Sequence, residues 1–235
     1  MKYKNLVIIG TSHIARQSLD EVKGIIVKEK PDIVAVELDK QRAYALIHNI
    51  KSRTSIRDIP KVGLRGWLFA VLGAWAEKKL GSMVGVAPGS EMKMALNIAK
   101  SNKIGISYID QDISITLKKL SKAITWKEKW NFLADIFKAV ILRKKEVDFD
   151  LTKVPSKKVI QKLISEFKVR YPSIYNVLVH ERNVYMAKRL QSIIFSNPDL
   201  KVVAIVGAGH EEEILNMVRK PLKNSVSYSF NVNAD

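Results

Sequence analysis

The sequence predicts an α/β fold in which a mostly parallel central sheet is flanked by helices. Three short runs, residues 6–9, 33–36 and 202–206, contain only Leu, Ile, Val and Ala, which is the pattern of strands buried on both faces. Segments with helical spacing separate these runs, and such alternation is typical of parallel sheets. With 235 residues, of which 47% are hydrophobic, the chain can bury a full core, and we predict a single domain over residues 1–235.

The first third of the chain has the order strand, helix, strand, helix. The strand at 6–9 precedes a helix that Pro31 ends, and the strand at 33–36 precedes a helix from about residue 41 to 51. Because a strand–helix–strand unit forms a right-handed parallel crossover, we expect these two strands to lie side by side.

The rest of the chain continues this alternation. Ser90 is a favourable N-cap for a helix over 91–101, which leads to a strand over 104–109. The remaining predicted elements are helices at 113–120, 126–145, 156–169, 173–195 and 211–219 and strands at 202–206 and 226–230. Residues 62–87 and 113–195 form a helical insertion in the α/β pattern.

The stretch over residues 62–87 is apolar and punctuated by glycine, with Trp67 and Trp75 close together on one helical face. It predicts a helical hairpin that packs on the core or on a second copy of the chain in a homo-oligomer. The alternative is a helix that binds a membrane surface or a partner protein, because an apolar face of this size, if exposed, indicates a binding surface.

Composition restricts the class of protein. The net charge is +17 and there is no cysteine, so disulfides and thiolate metal sites are excluded and a cytoplasmic location is expected. Residues 118–170 contain 15 Lys and Arg against 6 Asp and Glu, which indicates solvated helix faces or an anionic partner such as a membrane surface. Nucleic acid is not favoured, since no helix-turn-helix or aromatic–basic RNA motif is present. No apolar run of about 18 residues occurs, so no transmembrane span is predicted.

Two Gly-x-x-His motifs follow predicted strands. Gly10 precedes His13 by three residues, and Gly207 precedes His210 in the same way. Ligands of parallel α/β sheets bind beyond the carboxyl ends of the strands, so the two imidazoles are candidates for one pocket, as metal ligands or as acid–base groups. The alternative is an ordinary histidine in a strand-to-helix turn.

Carboxylates follow the other predicted strands. Glu37 ends the strand at 33–36 and is a candidate metal ligand or general base, because a carboxylate that ends a buried strand needs a partner. Asp39 is expected to cap the next helix, with Arg42 one turn on. Asp110 and Asp112 form a third acidic edge, and one of them is expected to cap the helix at 113.

Two further segments have a functional and a structural interpretation. Glu91 begins a helix, where a carboxylate is favoured by the helix dipole alone. Glu181 shares a helical face with Tyr185 and Arg189, which is compatible with a surface salt bridge. Val184 stands where a His-Glu-x-x-His zinc helix would have its second histidine.

No P-loop and no Gly-x-Ser-x-Gly elbow occurs in the sequence, which disfavours P-loop ATPases and serine hydrolases.

Taken together, six sequence motifs of this chain resemble those of the TraB/Tiki family, which includes bacterial pheromone-shutdown proteins and the animal Tiki proteases. They occur in the family's order along nearly the whole chain: GTSH (10–13), VAVELDKQR (34–42), PGSEM (88–92), IDQDI (109–113), HERNVYMAKRL (180–190) and VVAIVGAGH (202–210). The resemblance implies an α/β fold with both histidine motifs at one active site. It also implies a metal-dependent peptidase or related hydrolase.

The resemblance implies a specific set of site residues. The catalytic residues would be His13, Glu37, Glu91, Arg182 and His210. Manganese or cobalt is the ion it implies, with zinc as the alternative, and the ligands would come from His13, His210, Glu37 and Glu91. Arg42 and Glu181 would be supports, and Asp110 is a further supporting candidate at this edge.

Two departures from the family pattern are visible. Asn183 stands where the family often has aspartate, so that aspartate's role is not transferred. Many microbial members are longer chains with hydrophobic C-terminal spans, whereas this sequence continues after Phe230 only with Asn-Val-Asn-Ala-Asp, so membrane insertion is not expected from it.

The sequence therefore predicts a divalent-metal-dependent hydrolase that acts on a peptide or a small signalling molecule. Two alternatives remain. One is a non-catalytic protein that binds a peptide or signal molecule in the same cleft. The other is a basic adaptor for an anionic membrane or nucleic acid, which rests on the net charge of +17 and on the excess of Lys and Arg over residues 118–170.

Overall fold

The computed structural model describes residues 1–11, 16–50, 59–63, 67, 70–71, 89–141 and 157–220. His13, most of the predicted hairpin at 62–87 and the predicted strand at 226–230 lie outside the described residues.

The α/β prediction is confirmed by a five-stranded sheet. Its strands are β1 (Lys2–Tyr3), β2 (Leu6–Thr11), β3 (Ile33–Val36), β4 (Gly105–Tyr108) and β5 (Val202–Gly207). The order across the sheet is β1-β2-β5-β3-β4. Only the short β1 is antiparallel to its neighbour, and the other described pairs are parallel.

The expected pairing of the first two parallel strands is wrong. Strand β5 lies between β2 and β3, with Thr11 opposite Gly207 on one side and Val36 opposite Ile205 on the other. All six residues of β5 are buried. A strand with this degree of burial is best placed at the centre, where both of its edges are hydrogen-bonded and both of its faces are covered. The consequence is that the strands preceding the two Gly-x-x-His turns are direct neighbours.

Helices account for most of the other described residues. Their bounds are α1 (Arg16–Glu29), α2 (Lys40–Ile47), α3 (Ser90–Ser101), α4 (Ile113–Ala123), α5 (Trp126–Ile141), α6 (Lys157–Arg170), α7 (Pro172–Tyr175), α8 (Glu181–Ser196) and α9 (Glu211–Arg219). A π-helical turn at Asn176–His180 joins α7 to α8, so the predicted helix at 173–195 is present with one widened turn.

The two faces of the sheet are covered by different helices. One face packs on α8 and α9, through residues such as Leu190, Ile194 and Ile214. The other face packs on α1 and α3, through residues such as Val22 and Leu96. No helix of the described residues is long and apolar enough to cross a membrane.

The helix caps follow the sequence predictions in two cases and differ in one. Asp39 Oδ1 accepts a hydrogen bond from Arg42 N at 2.8 Å, and Asp112 Oδ1 accepts one from Ser114 N at 2.7 Å, so both predicted caps are confirmed. Ser90 is not the N-cap of α3, because the helix begins one residue earlier than predicted. Gly89 occupies the cap position with φ of 77°, a left-handed conformation that glycine adopts at little cost.

Candidate functional site

The carboxyl edge of the sheet brings together chain segments that are distant in sequence. Strands β3, β4 and β5 end there and lead to Glu37, Asp110 and His210 respectively. Helices α3 and α8 each run back to the opposite edge, where β4 and β5 begin. Their N-terminal turns, with Glu91 and Arg182, therefore also lie at the carboxyl edge.

Glu37 is buried at the centre of this edge and both of its oxygens are engaged. Its Oε1 accepts a hydrogen bond from Arg182 Nη2 at 2.5 Å, and its Oε2 accepts one from Gly207 N at 2.6 Å. The carboxylate thus links the end of β3 to the end of β5 and to α8. His210 Nε2 lies 3.4 Å from the same Oε1. The predicted juxtaposition of Glu37, Arg182 and His210 is therefore observed.

Arg182 is held by two carboxylates and a carbonyl. Its Nε donates to Asp110 Oδ1 at 3.1 Å, its Nη2 to Asp110 Oδ2 at 2.7 Å and its Nη1 to the carbonyl of Leu178, in the π-helical turn, at 3.1 Å. Burial by itself lowers the pKa of Arg182, but the charges and hydrogen bonds of Glu37 and Asp110 outweigh it and raise the pKa. The guanidinium is therefore a permanent cation within the site.

Asp110 also joins Arg182 to Arg42. Arg42 donates from Nε to Asp39 Oδ2 at 2.7 Å and from Nη2 to Asp110 Oδ2. Burial opposes the charge of Arg42, and the charges and hydrogen bonds of Asp110 and Asp39 raise its pKa. Arg42 and Asp110 thus lie where the sequence predicted supporting residues, because they fix the guanidinium that contacts Glu37.

His210 is oriented by Asn183 and Glu213, to which the sequence motifs assign no role in the site. Its Nδ1 lies 2.6 Å from Asn183 Oδ1, and Asn183 Nδ2 donates to Glu213 Oε2 at 2.7 Å. Glu213 also accepts from Tyr175 Oη at 3.1 Å and contacts His180 Nδ1 at 2.8 Å. Burial raises the pKa of Glu213, but the hydrogen bonds from His180, Asn183 and Tyr175 outweigh it and lower the pKa, so the group is an ionised acceptor.

This arrangement determines which nitrogen of His210 carries hydrogen. An ionised Glu213 only accepts hydrogen bonds, so the amide group of Asn183 must face it and the carbonyl oxygen must face His210. Nδ1 of a neutral His210 is then the protonated nitrogen, and the lone pair of Nε2 faces Glu37. The sequence shows that α9 begins with acidic residues, which include Glu213. The contact between Glu213 and Asn183 joins residues 30 positions apart, so no local pattern predicts it.

Two further predicted site residues, Glu91 and Glu181, differ in burial and in their surroundings. Glu91 is fully buried in the first turn of α3, among residues that pack on the opposite face of the sheet from α8. Glu181 lies at the protein surface, where it contacts Lys119 Nζ at 2.6 Å and Asn176 Nδ2 at 3.0 Å. Its contacts thus direct it towards α4 and away from Glu37.

His13 lies outside the described residues, but the strand that leads to it is described. Thr11 is in register with Gly207, and its carbonyl accepts a hydrogen bond from Ala208 N at 2.8 Å. A Cβ on Gly10 would lie 2.9 Å from Glu211 Oε2 and 3.0 Å from Ala208 Cα. The glycine of the first motif thus permits close contact with the turn of the second motif.

The described part of this edge supplies donors of the type that Mn²⁺, Co²⁺ and Zn²⁺ accept. His210 Nε2 and Glu37 Oε1, a ring nitrogen and a carboxylate oxygen, lie 3.4 Å apart. Two ligands each about 2.1 Å from a tetrahedral ion are separated by roughly that distance. No three His, Asp or Glu side chains are grouped as a metal site among the residues that the structure describes. These two donors are of a kind that such an ion accepts, and they do not by themselves form a metal site in the described part of the chain.

Comparison with known proteins places the chain in a family. An uncharacterized protein of Methanocaldococcus jannaschii is 37% identical over 226 residues, which are 92% of this chain and 54% of that protein. TraB domain-containing proteins of Mus musculus and Homo sapiens are 26% and 25% identical over 86% of this chain and 60% of each relative. The chain thus spans little more than half of the length of these relatives. Residues 2–221 match the TraB/PrgY/gumN family, and the chain belongs to that family.

Proposed function

We propose that the protein is a divalent-metal-dependent hydrolase that cleaves a peptide bond at the carboxyl edge of the sheet. The observation that carries the proposal is the pair formed by His210 Nε2 and Glu37 Oε1, 3.4 Å apart. The register of Thr11 with Gly207 supports a common pocket for both Gly-x-x-His turns.

In this proposal His13, His210 and one carboxylate, from Glu37 or Glu91, hold the ion. A bound divalent ion would lower the pKa of a water molecule and polarise a substrate carbonyl. The carboxylate that does not bind the ion would take the proton of that water as general base. Asn183 and Glu213 keep His210 Nε2 directed at the site through their hydrogen bonds.

Arg182 is suited to stabilise negative charge on the substrate. Four of its five N–H groups are used by Glu37, Asp110 and Leu178, so one hydrogen of Nη1 is not used in these contacts. The neighbouring carboxylates hold the guanidinium in place before substrate binds. A preorganised cation of this kind stabilises a developing oxyanion at low reorganisation cost.

The test is peptide cleavage by the purified chain after metal removal and readdition. We expect a mixture of peptides of varied sequence to be cleaved with Mn²⁺ or Co²⁺ and to stay intact without metal. His13→Ala and His210→Ala should each abolish cleavage. The matched control is His48→Ala, because His48 is exposed at the end of α2. Full cleavage by the His13 and His210 variants would contradict the proposal.

One observation favours a second candidate, a protein that binds a peptide or signal molecule without cleaving it. Both oxygens of Glu37 already accept hydrogen bonds, from Arg182 and Gly207, so a metal ion has to compete with a buried guanidinium. This candidate predicts stoichiometric peptide binding that persists in chelator and no cleavage with any divalent ion. Calorimetry with and without chelator, beside the cleavage assay, separates the two.

A further inference from the structure

Helix α5 carries three exposed aromatic side chains in one line. Trp126, Trp130 and Phe137 are 72%, 68% and 65% exposed. With 3.6 residues per turn, these positions fall within about 40° of one another around the helix. We call these three residues the aromatic stripe. Adjacent large aromatic side chains that remain exposed indicate a surface that meets a partner.

The opposite side of α5 is fixed to the rest of the protein. Glu128 Oε1 accepts hydrogen bonds from Ser173 N at 2.7 Å and Ile174 N at 3.3 Å. Asp135 accepts from Tyr171 Oη and pairs with Arg170. Positions 128 and 135 lie about half a turn away from the aromatic stripe. These contacts therefore hold the stripe towards solvent.

Lysines flank the aromatic stripe on both sides. Lys127 and Lys129 lie on either side of the line, and Lys129 Nζ is 3.8 Å from the ring centroid of Trp126. The acidic residues of α5, Glu128 and Asp135, both belong to the packed side. The outward surface of α5 thus combines aromatic rings with positive charge.

We propose that the aromatic stripe and its flanking lysines bind the surface of a bilayer that contains anionic lipids. Tryptophan rings are stable at the level of the lipid headgroups, and lysines beside them reach the phosphates while their alkyl stems stay on the apolar side. The helix would lie in the plane of the bilayer surface. This inference concerns α5 and is independent of the proposed hydrolase activity.

Charge argues for a lipid surface over a second copy of the chain. In a two-fold dimer the same patch meets itself, so Lys127 and Lys129 would face the lysines of the other copy. Like charges brought together in this way oppose association. An anionic lipid surface instead complements the residue 118–170 region, with its 15 Lys and Arg against 6 Asp and Glu.

The test is co-sedimentation of the full chain with vesicles of phosphatidylcholine, with and without phosphatidylglycerol. We expect binding only to vesicles with phosphatidylglycerol. Substitution of all three stripe residues by alanine should weaken it more than about tenfold, because their apolar surface no longer leaves water. Phe195→Ala removes an exposed aromatic residue of α8 and should leave binding unchanged. Lys127→Glu with Lys129→Glu should weaken it by at least about fivefold for each lysine.

A second readout identifies the residues that enter the lipid surface. Tryptophan emission should shift to shorter wavelength on binding, and Trp126→Phe with Trp130→Phe should bind normally but lose most of the shift. Binding that survives the alanine substitutions, equal binding to vesicles without phosphatidylglycerol, or no binding to either would each overturn the proposal. Self-association abolished by the alanine substitutions, without vesicle binding, would assign the stripe to a second copy and also overturn it.

Discussion

Asn183 Oδ1 and His210 Nδ1 lie 2.6 Å apart, and this contact sets the direction in which the other ring nitrogen points. Glu213 orients the Asn183 amide from its other side. The site is thus ordered by two helices, α8 and α9, that lie on the same face of the sheet. A histidine that serves as ligand or base needs such a partner on its other nitrogen.

The first prediction concerns the tautomer of His210. In metal-free protein at neutral pH, nitrogen-15 NMR should show hydrogen on Nδ1 of His210. Asn183→Ala removes the acceptor, so the hydrogen should move to Nε2, the tautomer that free imidazole prefers. Cleavage, where present, should fall by about 10- to 100-fold.

Asn176→Ala is the control for the Asn183 substitution. Asn176 contacts Glu181 at the surface, away from His210, so its loss should leave the His210 signals unchanged. The chain has only four histidines, which makes assignment by single substitution practical. Hydrogen on Nε2 and none on Nδ1 in the unsubstituted protein would contradict the orientation derived from Glu213.

The second prediction concerns the buried ion pairs of Arg182. Arg182→Met removes the guanidinium bound to Glu37 and one of the two guanidinium groups bound to the buried Asp110, which keeps Arg42, and we expect the free energy of unfolding to fall by about 3–5 kcal/mol. Urea titration followed by circular dichroism measures this change. Lys119→Met breaks the exposed pair with Glu181 and should cost less than about 1 kcal/mol. Equal effects of the two substitutions would show that Glu37 and Asp110 do not depend on Arg182.

The third prediction concerns the glycine of the first histidine motif. Gly10→Ala places a methyl group 3.0 Å from Ala208 Cα, so backbone at the β2–β5 edge has to move. We expect a loss of about 1–3 kcal/mol in the free energy of unfolding. We also expect weaker function, since the adjoining turn leads to His210.

Gly24→Ala is the matched control for Gly10→Ala. Gly24 lies within α1, and nothing lies within 4 Å of a Cβ built on it. Alanine favours a helix interior by about 0.5–1 kcal/mol over glycine, so this variant should be more stable than the unsubstituted protein. Thermal unfolding of both variants shows directly whether each substitution raises or lowers the stability. A Gly10→Ala protein as stable as the Gly24→Ala protein would show that the edge adjusts freely.

The residues at the carboxyl edge were predictable because their signals are local in sequence. The apolar runs at 33–36 and 202–206 indicate buried strands, with Glu37 directly after the first and His210 four residues after the end of the second. The less apolar strand at 104–109 leads directly to Asp110. Their proximity then follows from the parallel arrangement. The fold class could be derived in the same way from the alternation of strands and helices.

The central position of β5 was not predictable from local signals. The rule that consecutive strands pair favoured β3 beside β2, and only the complete burial of residues 202–207 favours the centre. The Asn183–Glu213 contact was not predictable for a similar reason. It depends on the packing of α8 against α9, which no periodicity within either helix specifies.

The fourth prediction concerns Glu128, whose carboxylate accepts backbone hydrogen bonds at the N-termini of α5 and α7. Its Oε2 accepts from Thr125 N at 2.9 Å and its Oε1 from Ser173 N at 2.7 Å. Burial raises the pKa of Glu128, but the hydrogen bonds from Thr125, Ser173 and Ile174 outweigh it and lower the pKa. A carboxylate whose pKa is lower in the folded state stabilises that state above its unfolded pKa, and this contribution is lost as the pH falls through the folded pKa.

Glu128→Gln should therefore be destabilised near neutral pH by about 1–3 kcal/mol and should lose less stability than the unsubstituted protein on acidification. Urea midpoints measured from neutral pH to below pH 4 test both parts. Glu166→Gln is the control, because Glu166 is exposed on α6 and its separation from Lys162 is 3.9 Å. Parallel stability curves for the Glu128→Gln and unsubstituted proteins would show that the ionised carboxylate is not what joins α5 to α7.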